Sequence, residues 1–177
     1  MPDLFHEQPG LRNIMPDMGI DAGDLRILKA LQADARLTVQ ELADSVAMST
    51  SAAWRRVKRL EQAAIIKGYN ATLDRRALGL GVLAFIRVTI DSHSRDEARR
   101  FEEQVLELDA VIACWSIAGE ADFLLQVVAS DLDSYADFAM NVVRRLPGIK
   151  EMHTMFALKE VKPLSGLPLQ LSGSSAT

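Results

Sequence analysis

The order in which the hydrophobic period changes along residues 77–162 constrains the fold more than any other feature of the chain. Apolar side chains alternate with a period of two in four stretches, residues 82–90, 111–118, 123–129 and 149–161. They recur with helical spacing in two others, at Ala98, Phe101, Val105 and Leu108 and again, within residues 132–146, at Tyr135, Phe138, Val142 and Leu146. These periods are typical of half-buried strands and of helices. The order βαββαβ predicts an α+β domain with a ferredoxin-like sheet.

The first predicted strand is apolar on both faces of the expected sheet. Alternate residues from Val82 to Ile90 form one apolar face, while Leu83 and Phe85 lie on the other. Two helices cover only one face of a four-stranded sheet, so the second face needs a partner. We therefore expect a homo-oligomer, at least a dimer, unless the linker and tail of the same chain shield that face.

The segment before this domain has the spacing of a helix-turn-helix. Thr38 and Glu41 form a capping box at the start of one short helix. The break 47–49 separates this helix from another that begins at Thr50 and buries Ala53, Val57 and Leu60. With an earlier helix capped by Asp21, residues 21–64 predict a three-helix domain.

In a DNA-binding helix-turn-helix, the second helix lies in the major groove and presents its first residues to base edges. The candidate contacts are small, hydroxylated or basic residues of this helix and the preceding cap: Thr38, Ser49, Thr50, Ser51, Ala52, Trp54, Arg55, Arg56, Lys58 and Arg59. Helical spacing places Arg55 and Arg59 together and turns Arg56 to another side. Trp54 flanks the buried stripe, so core packing is favoured over a contact with the DNA backbone. The alternative is a solvated basic helix without a nucleic-acid partner.

Net charge is −4 overall but is unevenly distributed. Residues 21–76 hold ten Lys/Arg and seven Asp/Glu, whereas residues 77–162 hold nine and fourteen. The expected arrangement is a basic DNA-binding domain joined to an acidic regulatory domain.

Residues 65–76 are β-prone and are interpreted as a linker strand. Residues 1–20 and 163–177 are expected to be flexible, with Met15 and Met18 as alternative start residues to Met1. A single cysteine, no secretory signal and no long apolar run predict a cytoplasmic protein without a membrane partner. No metal site or cofactor is expected.

Six segments resemble the leucine-responsive regulatory protein/AsnC family of transcriptional regulators. They are Asp21–Leu28, Met48–Glu61, Ile65–Tyr69, Gly119–Asp122, Leu146–Ile149 and Lys159–Lys162. The resemblance covers residues 20–162. It implies binding of double-stranded DNA, dimers paired through the linker strand and sheets, and often an octameric assembly.

The resemblance also implies a small-molecule effector, an amino acid or a related metabolite, bound in the cleft between dimers. By position it assigns Gly119, Glu120, Ala121, Asp122, Thr154 and Phe156 to that site. Asp122 can meet an ammonium group while backbone amides meet a carboxylate. From the residues alone, a plain hairpin turn is the favoured interpretation of residues 119–122, and only the family resemblance favours an effector site.

Two positions depart from the family pattern. Members usually carry glycine in the break before the recognition helix and again at its end, where this chain has Ala47 and Ala64. An alanine in the left-handed region costs on the order of 1 kcal/mol.

Two other functions are open. Siroheme decarboxylases share a similar fold and domain order, but the histidines here, His6, His93 and His153, lie in three different segments. No nucleophile triad or phosphate loop is present, so an enzyme is not expected. The other alternative is an interaction module that has lost DNA binding, against which the run Arg55–Arg59 argues.

Overall fold

The computed structural model describes residues 19–91, 95–164 and 166–169, and these divide into two compact units. Of the described residues, the first unit holds 19–71, 164 and 166–169, and the second holds 72–91 and 95–163. The division lies within the linker predicted over residues 65–76. Residues 1–18, which include the alternative starts Met15 and Met18, lie outside the described residues, as do His6 and His93.

Three helices form the first unit: α1 (Ala22–Ala33), α2 (Val39–Ser45) and α3 (Thr50–Gln62). Capping boxes begin α1 and α2, with Asp21 and Thr38 as the N-cap residues. The apolar faces meet in one cluster that contains Ile27, Leu28, Leu42, Val46, Val57 and Leu60. The buried positions predicted for α3 are confirmed.

Each helix of the helix-turn-helix is followed, two residues after its last residue, by an alanine whose backbone lies in the left-handed region. Ala47 has φ of 54° and Ala64 has φ of 53°. Each lies in a Schellman motif, in which Met48 N donates to Ala43 O and Ile65 N donates to Leu60 O, both at 2.9 Å. The backbone therefore keeps the geometry that glycine favours although the residue is alanine.

The second unit is a four-stranded antiparallel sheet with helices packed on one face. In chain order it contains β1 (Val82–Ile90), α4 (Arg95–Val105), β2 (Val111–Ser116), β3 (Phe123–Ala129), α5 (Leu132–Asn141), a short 3-10 helix (Val143–Arg145) and β4 (Ile149–Phe156). The strand order is β2-β3-β1-β4, so the predicted βαββαβ fold is confirmed. Alternate residues of β1 are buried beneath Phe101, Val105, Tyr135 and Val143.

The second long helix is shorter than predicted. α5 ends at Asn141 rather than at Leu146, and a 3-10 turn follows. Because a 3-10 helix has three residues per turn, the buried stripe shifts to Val143, whereas Val142 is only half-buried.

Three predicted strands also differ from the structure. β2 ends at Ser116 rather than at residue 118. β4 ends at Phe156 rather than at Val161. Ala157 N still donates to Leu83 O, but β1 begins at Val82 and offers no partner for residues 159–161. Residues 67–74 of the predicted linker strand form neither helix nor strand in the single chain. A strand is defined by pairing with a neighbour, and the sequence pattern indicates only an extended preference.

Part of the C-terminal tail that was predicted to be flexible contacts α1. Leu167 N donates to Gln32 Oε1 at 2.6 Å, and Gln32 Nε2 donates to Leu167 O at 3.2 Å. Leu169 packs against the cluster of the first unit. Apolar contacts and a paired side-chain amide thus hold residues 166–169.

Candidate nucleic-acid interface and effector site

Hydroxyl groups fix the two helix starts of the helix-turn-helix. The Thr38 side chain accepts from Glu41 N at 3.2 Å, and the Ser49 side chain accepts from Ala52 N at 3.3 Å. Thr50 donates to Gln40 Oε1 at 2.7 Å and so joins the start of α3 to α2. These contacts orient α3 and leave Ser51 exposed in its first turn.

The four cations of α3 have different surroundings. Arg55 is exposed and has no ion pair among the described residues. Lys58 donates to Glu61 at 2.8 Å and lies 4.5 Å from the centre of the Trp54 ring. The other two, Arg56 and Arg59, contact acidic residues of α1.

This arrangement changes the predicted grouping of the arginines. Helical spacing placed Arg55 with Arg59, but Arg59 joins Arg56 at a shared carboxylate instead. The expected core position of Trp54 is also wrong, since 47% of its surface is exposed. The ring lies beside the buried stripe and carries Lys58 on one face.

Asp24, the third residue of α1, is the carboxylate that α3 contacts, and sequence reasoning did not single it out as a functional residue. It is fully buried; its Oδ1 accepts from Arg56 Nη1 at 2.8 Å and its Oδ2 accepts from Arg59 Nη2. Neighbouring Asp21 also accepts from Arg56, at 2.7 and 2.8 Å. This hydrogen bond lowers the pKa of Asp21 to about 2. The D-x-x-D spacing at the start of α1 was the available signal.

The turn 119–122 closes the hairpin between β2 and β3. Gly119 has φ of 141°, a conformation that side chains rarely adopt, and Ile117 N donates to Asp122 O at 2.9 Å. Asp122 Oδ2 accepts from Ile90 N at 2.7 Å, which ties the turn to the end of β1. Ala121 is buried and Glu120 is exposed.

Arg87, which sequence reasoning did not single out, lies beside this turn. Its Nη1 is 3.5 Å from Glu120 Oε2, and its buried Nε has no hydrogen-bond partner. It lies on the sheet face opposite the buried side chains of β1. A charged residue inside the apolar strand 82–90 was the signal for it.

Thr154 and Phe156 lie elsewhere on the sheet. In the strand register they oppose Ile86 and Ala84, on the face that carries the helices. Thr154 hydrogen-bonds Tyr135 of α5, and the Phe156 ring packs edge-on against the Tyr135 ring at 5.0 Å.

The structure therefore does not bring the two parts of the predicted effector site together in one chain. Asp122 contacts β1 at Val88 and Ile90, on the β3 side. Thr154 lies across from Ile86, on the β4 side. Four residues of strand span roughly 13 Å, so one small molecule does not reach both groups within a single chain.

Residues 19–91, 95–164 and 166–169 also bear on membrane insertion and metal binding. No helix there is long and apolar enough to cross a membrane. No cluster of His, Cys, Asp and Glu side chains suited to a metal ion occurs there either. His153 is exposed on β4, 3.6 Å from Glu151.

Comparison with known proteins matches both units to one family. The AsnC-type helix-turn-helix domain matches residues 20–61, and the Lrp/AsnC ligand binding domain matches residues 83–167. The Bkd operon transcriptional regulator of Pseudomonas aeruginosa is 38% identical over 150 residues, 85% of this chain and 98% of the relative. The DNA-binding transcriptional activator DecR of Escherichia coli is 35% identical over 151 residues, 85% and 99% of the two chains.

A solved structure is similar over the same extent. A transcriptional regulator of Neisseria meningitidis, crystallised as a complex with L-Met, superposes with a TM-score of 0.80 at 36% identity. The match covers 84% of this chain and 96% of that one.

Proposed function

Because this chain belongs to the Lrp/AsnC family of transcriptional regulators, we propose that it binds specific double-stranded DNA through α3 and responds to a small-molecule effector. The effector is an amino acid or a related metabolite. The protein works as a cytoplasmic regulator and not as an enzyme.

The exposed face of α3 is the observation that carries the DNA-binding proposal. Ser51 and Arg55 are one helical turn apart on the side opposite Ala53, Val57 and Leu60. A small residue followed by an unpaired guanidinium allows close approach to the groove and bidentate contact with a guanine edge. The capped starts of α2 and α3 supply backbone amides that favour phosphate.

The turn 119–122 and Arg87 support an effector with both an ammonium and a carboxylate group. Asp122 keeps one carboxylate oxygen on Ile90 N, so its other oxygen can accept from an ammonium group. Arg87 lies on the same side of the sheet with an unpartnered Nε and supplies a cation for a carboxylate. The regulator that is bound to L-Met is similar over both units.

Assembly completes the effector cleft in this proposal. Thr154 and Phe156 are separated from the turn within one chain, so a complete site requires that the turn of one protomer lies against Thr154 and Phe156 of another protomer across an interface. The chain then functions as a homodimer or a larger assembly such as an octamer. Effector binding alters how dimers associate and thereby the spacing of recognition helices on DNA.

The test is a fluorescence-anisotropy titration of the full chain with its own upstream DNA, at several salt concentrations and with each amino acid in turn. We expect tight binding that weakens steeply with salt and that one amino acid shifts. Absence of binding at low salt would contradict the regulator function and would direct attention to tetrapyrrole binding.

The effector site is tested separately by calorimetric titration of the amino acid that acts. Asp122→Asn and Arg87→Gln should each weaken effector binding at least tenfold, since each removes a charged partner of the ligand. Asp109→Asn, a charge-matched change at an exposed position, should have no effect. Unchanged effector affinity in both variants would show that the turn 119–122 is only a hairpin.

A further inference from the structure

The carboxylate of Asp24 is buried between α1 and α3. Its two oxygens accept hydrogen bonds from Arg56, from Arg59 and from the backbone N of Asp21, the last at 3.0 Å. A buried carboxylate without cationic partners is strongly unfavourable. Arg56 and Arg59 are therefore held by the fold of the first unit.

We propose that Asp24 is a positioning residue for DNA recognition, which withholds Arg56 and Arg59 from the DNA and leaves Arg55 as the arginine of α3 that determines specificity. This inference rests on the proposed DNA binding. It also divides the basic run 55–59, which the sequence presents as one unit, into residues with different tasks.

Competition for the guanidinium groups is the physical reason. If Arg56 or Arg59 left Asp24 to neutralise a phosphate, one oxygen of a buried carboxylate would lose its cationic partner. Arg59 is still 54% exposed, so its position on the surface does not by itself prevent such a contact. The carboxylate of Asp24 prevents it, because it fixes the guanidinium toward α1.

Arg55 lies under no such restraint. It is exposed, and no acidic residue among those described pairs with it. It therefore enters the groove without breaking an existing ion pair. Because Arg56 and Arg59 are held in place by Asp24, α3 has fewer ways to bind unrelated DNA. This favours the ratio of specific to non-specific affinity over affinity for DNA in general.

Asp24→Asn tests the proposal, because the amide retains the size of the side chain and removes the charge. Salt dependence of binding is measured by anisotropy for the upstream DNA and for a shuffled sequence. Each released arginine that reaches a phosphate should steepen the slope of log K against log[salt] by about 0.9. We expect a steepening of one to two units and a ratio of specific to non-specific affinity that falls roughly tenfold.

Asp34→Asn is the matched control. It makes the same change in net charge within the same domain, but Asp34 pairs with exposed Arg36 and not with α3. Its slope and its specificity ratio should equal those of the unchanged protein. Restoration of the original slope in the Asp24→Asn/Arg56→Gln/Arg59→Gln variant would identify the released arginines as the source.

Two single variants decide the matter if Asp24→Asn does not fold. Arg55→Gln should abolish most discrimination between the upstream DNA and the shuffled sequence, because Arg55 contacts a base edge. Arg56→Gln should leave both the slope and the ratio of specific to non-specific affinity unchanged. Equal ratios of specific to non-specific affinity in the two variants would overturn the proposal. So would a folded Asp24→Asn protein with unchanged slope and specificity, which would make Asp24 purely structural. Failure of the unchanged protein to bind any DNA would instead overturn the proposed function.

Discussion

Two alanines, Ala47 and Ala64, hold backbone conformations that glycine adopts at lower cost. Both have positive φ, and both terminate a helix of the helix-turn-helix. Ala47→Gly and Ala64→Gly should each raise the free energy of unfolding of the first unit by about 1 kcal/mol, because the Cβ strain disappears. The measurement is urea denaturation followed by circular dichroism.

Ala63→Gly is the control for this prediction. Ala63 has φ of −80°, so glycine relieves no strain there and only adds freedom to the unfolded chain. We expect it to lower the free energy of unfolding by about 0.5–1 kcal/mol. A stabilising effect of Ala63→Gly, or a destabilising effect at positions 47 and 64, would contradict the strain account.

Asp21 gives the first unit a defined response to acid. Its pKa falls from 3.8 to about 2, chiefly through the hydrogen bond from Arg56. A carboxylate with a lowered pKa stabilises the fold fully above its ordinary pKa, and this contribution is lost as the pH falls from about 4 towards 2. Because the side chain is half exposed, screening limits the contribution to about 1 kcal/mol or less.

Asp21→Asn isolates this ionic contribution, since asparagine caps a helix about as well as aspartate does. The free energy of unfolding should be lower in Asp21→Asn than in the unchanged protein at pH 7. The difference should stay constant down to about pH 5 and shrink between pH 4 and 2. A difference that does not depend on pH would show that packing, and not the ion pair with Arg56, is responsible.

At the scale of elements, the C-terminal segment contributes to the first unit. Leu169 packs against the cluster that contains Ile27 and Leu60, whereas Leu164 is fully exposed in the same segment. Leu169→Ala should therefore lower the free energy of unfolding of the first unit by about 1 kcal/mol. Leu164→Ala should change it by less than about 0.5 kcal/mol. Equal effects of the two substitutions would show that the segment does not dock in solution.

The sequence predicted those elements whose signal is local. Capping boxes, helical spacing and strict alternation are read from neighbouring residues, and β1 and β3 match their predicted bounds. Predictions failed where the outcome depends on a distant partner. β4 ends close to the start of its partner β1, which offers no residues opposite 159–161, and residues 166–169 contact α1 through Gln32, 135 positions away from Leu167.

The same distinction applies to the candidate sites. The basic run of α3 was evident, but the division of its arginines required Asp24, which is 32 residues from Arg56. The turn 119–122 was evident, yet its neighbour Arg87 is 33 residues from Glu120 and comes near it only through the sheet. Spacing along the chain locates a motif, and the tertiary fold decides which of its side chains are available.

At the scale of the whole molecule, the sheet face without helices is the surface through which we expect two chains to associate. Trp115 lies on this face opposite Leu124 in the strand register and is 46% exposed, and Leu83 and Phe85 on the same face of β1 are half-buried. An aromatic side chain within an apolar patch is the usual centre of a protein interface. We therefore expect this face to bury Trp115 when two chains associate.

Trp115→Lys should convert the assembly into smaller species in sedimentation velocity, with a dissociation constant raised by at least about 30-fold, the equivalent of losing 2 kcal/mol at an interface. Leu106→Lys is the control, because Leu106 is 83% exposed, follows α4 and has no place on that face. Circular dichroism establishes that both variants fold. An unchanged sedimentation coefficient for folded Trp115→Lys would exclude this face from the interface. Assembly through residues 67–73 would then be tested next, because no backbone hydrogen bond within the described residues occupies them and they can pair with a second copy.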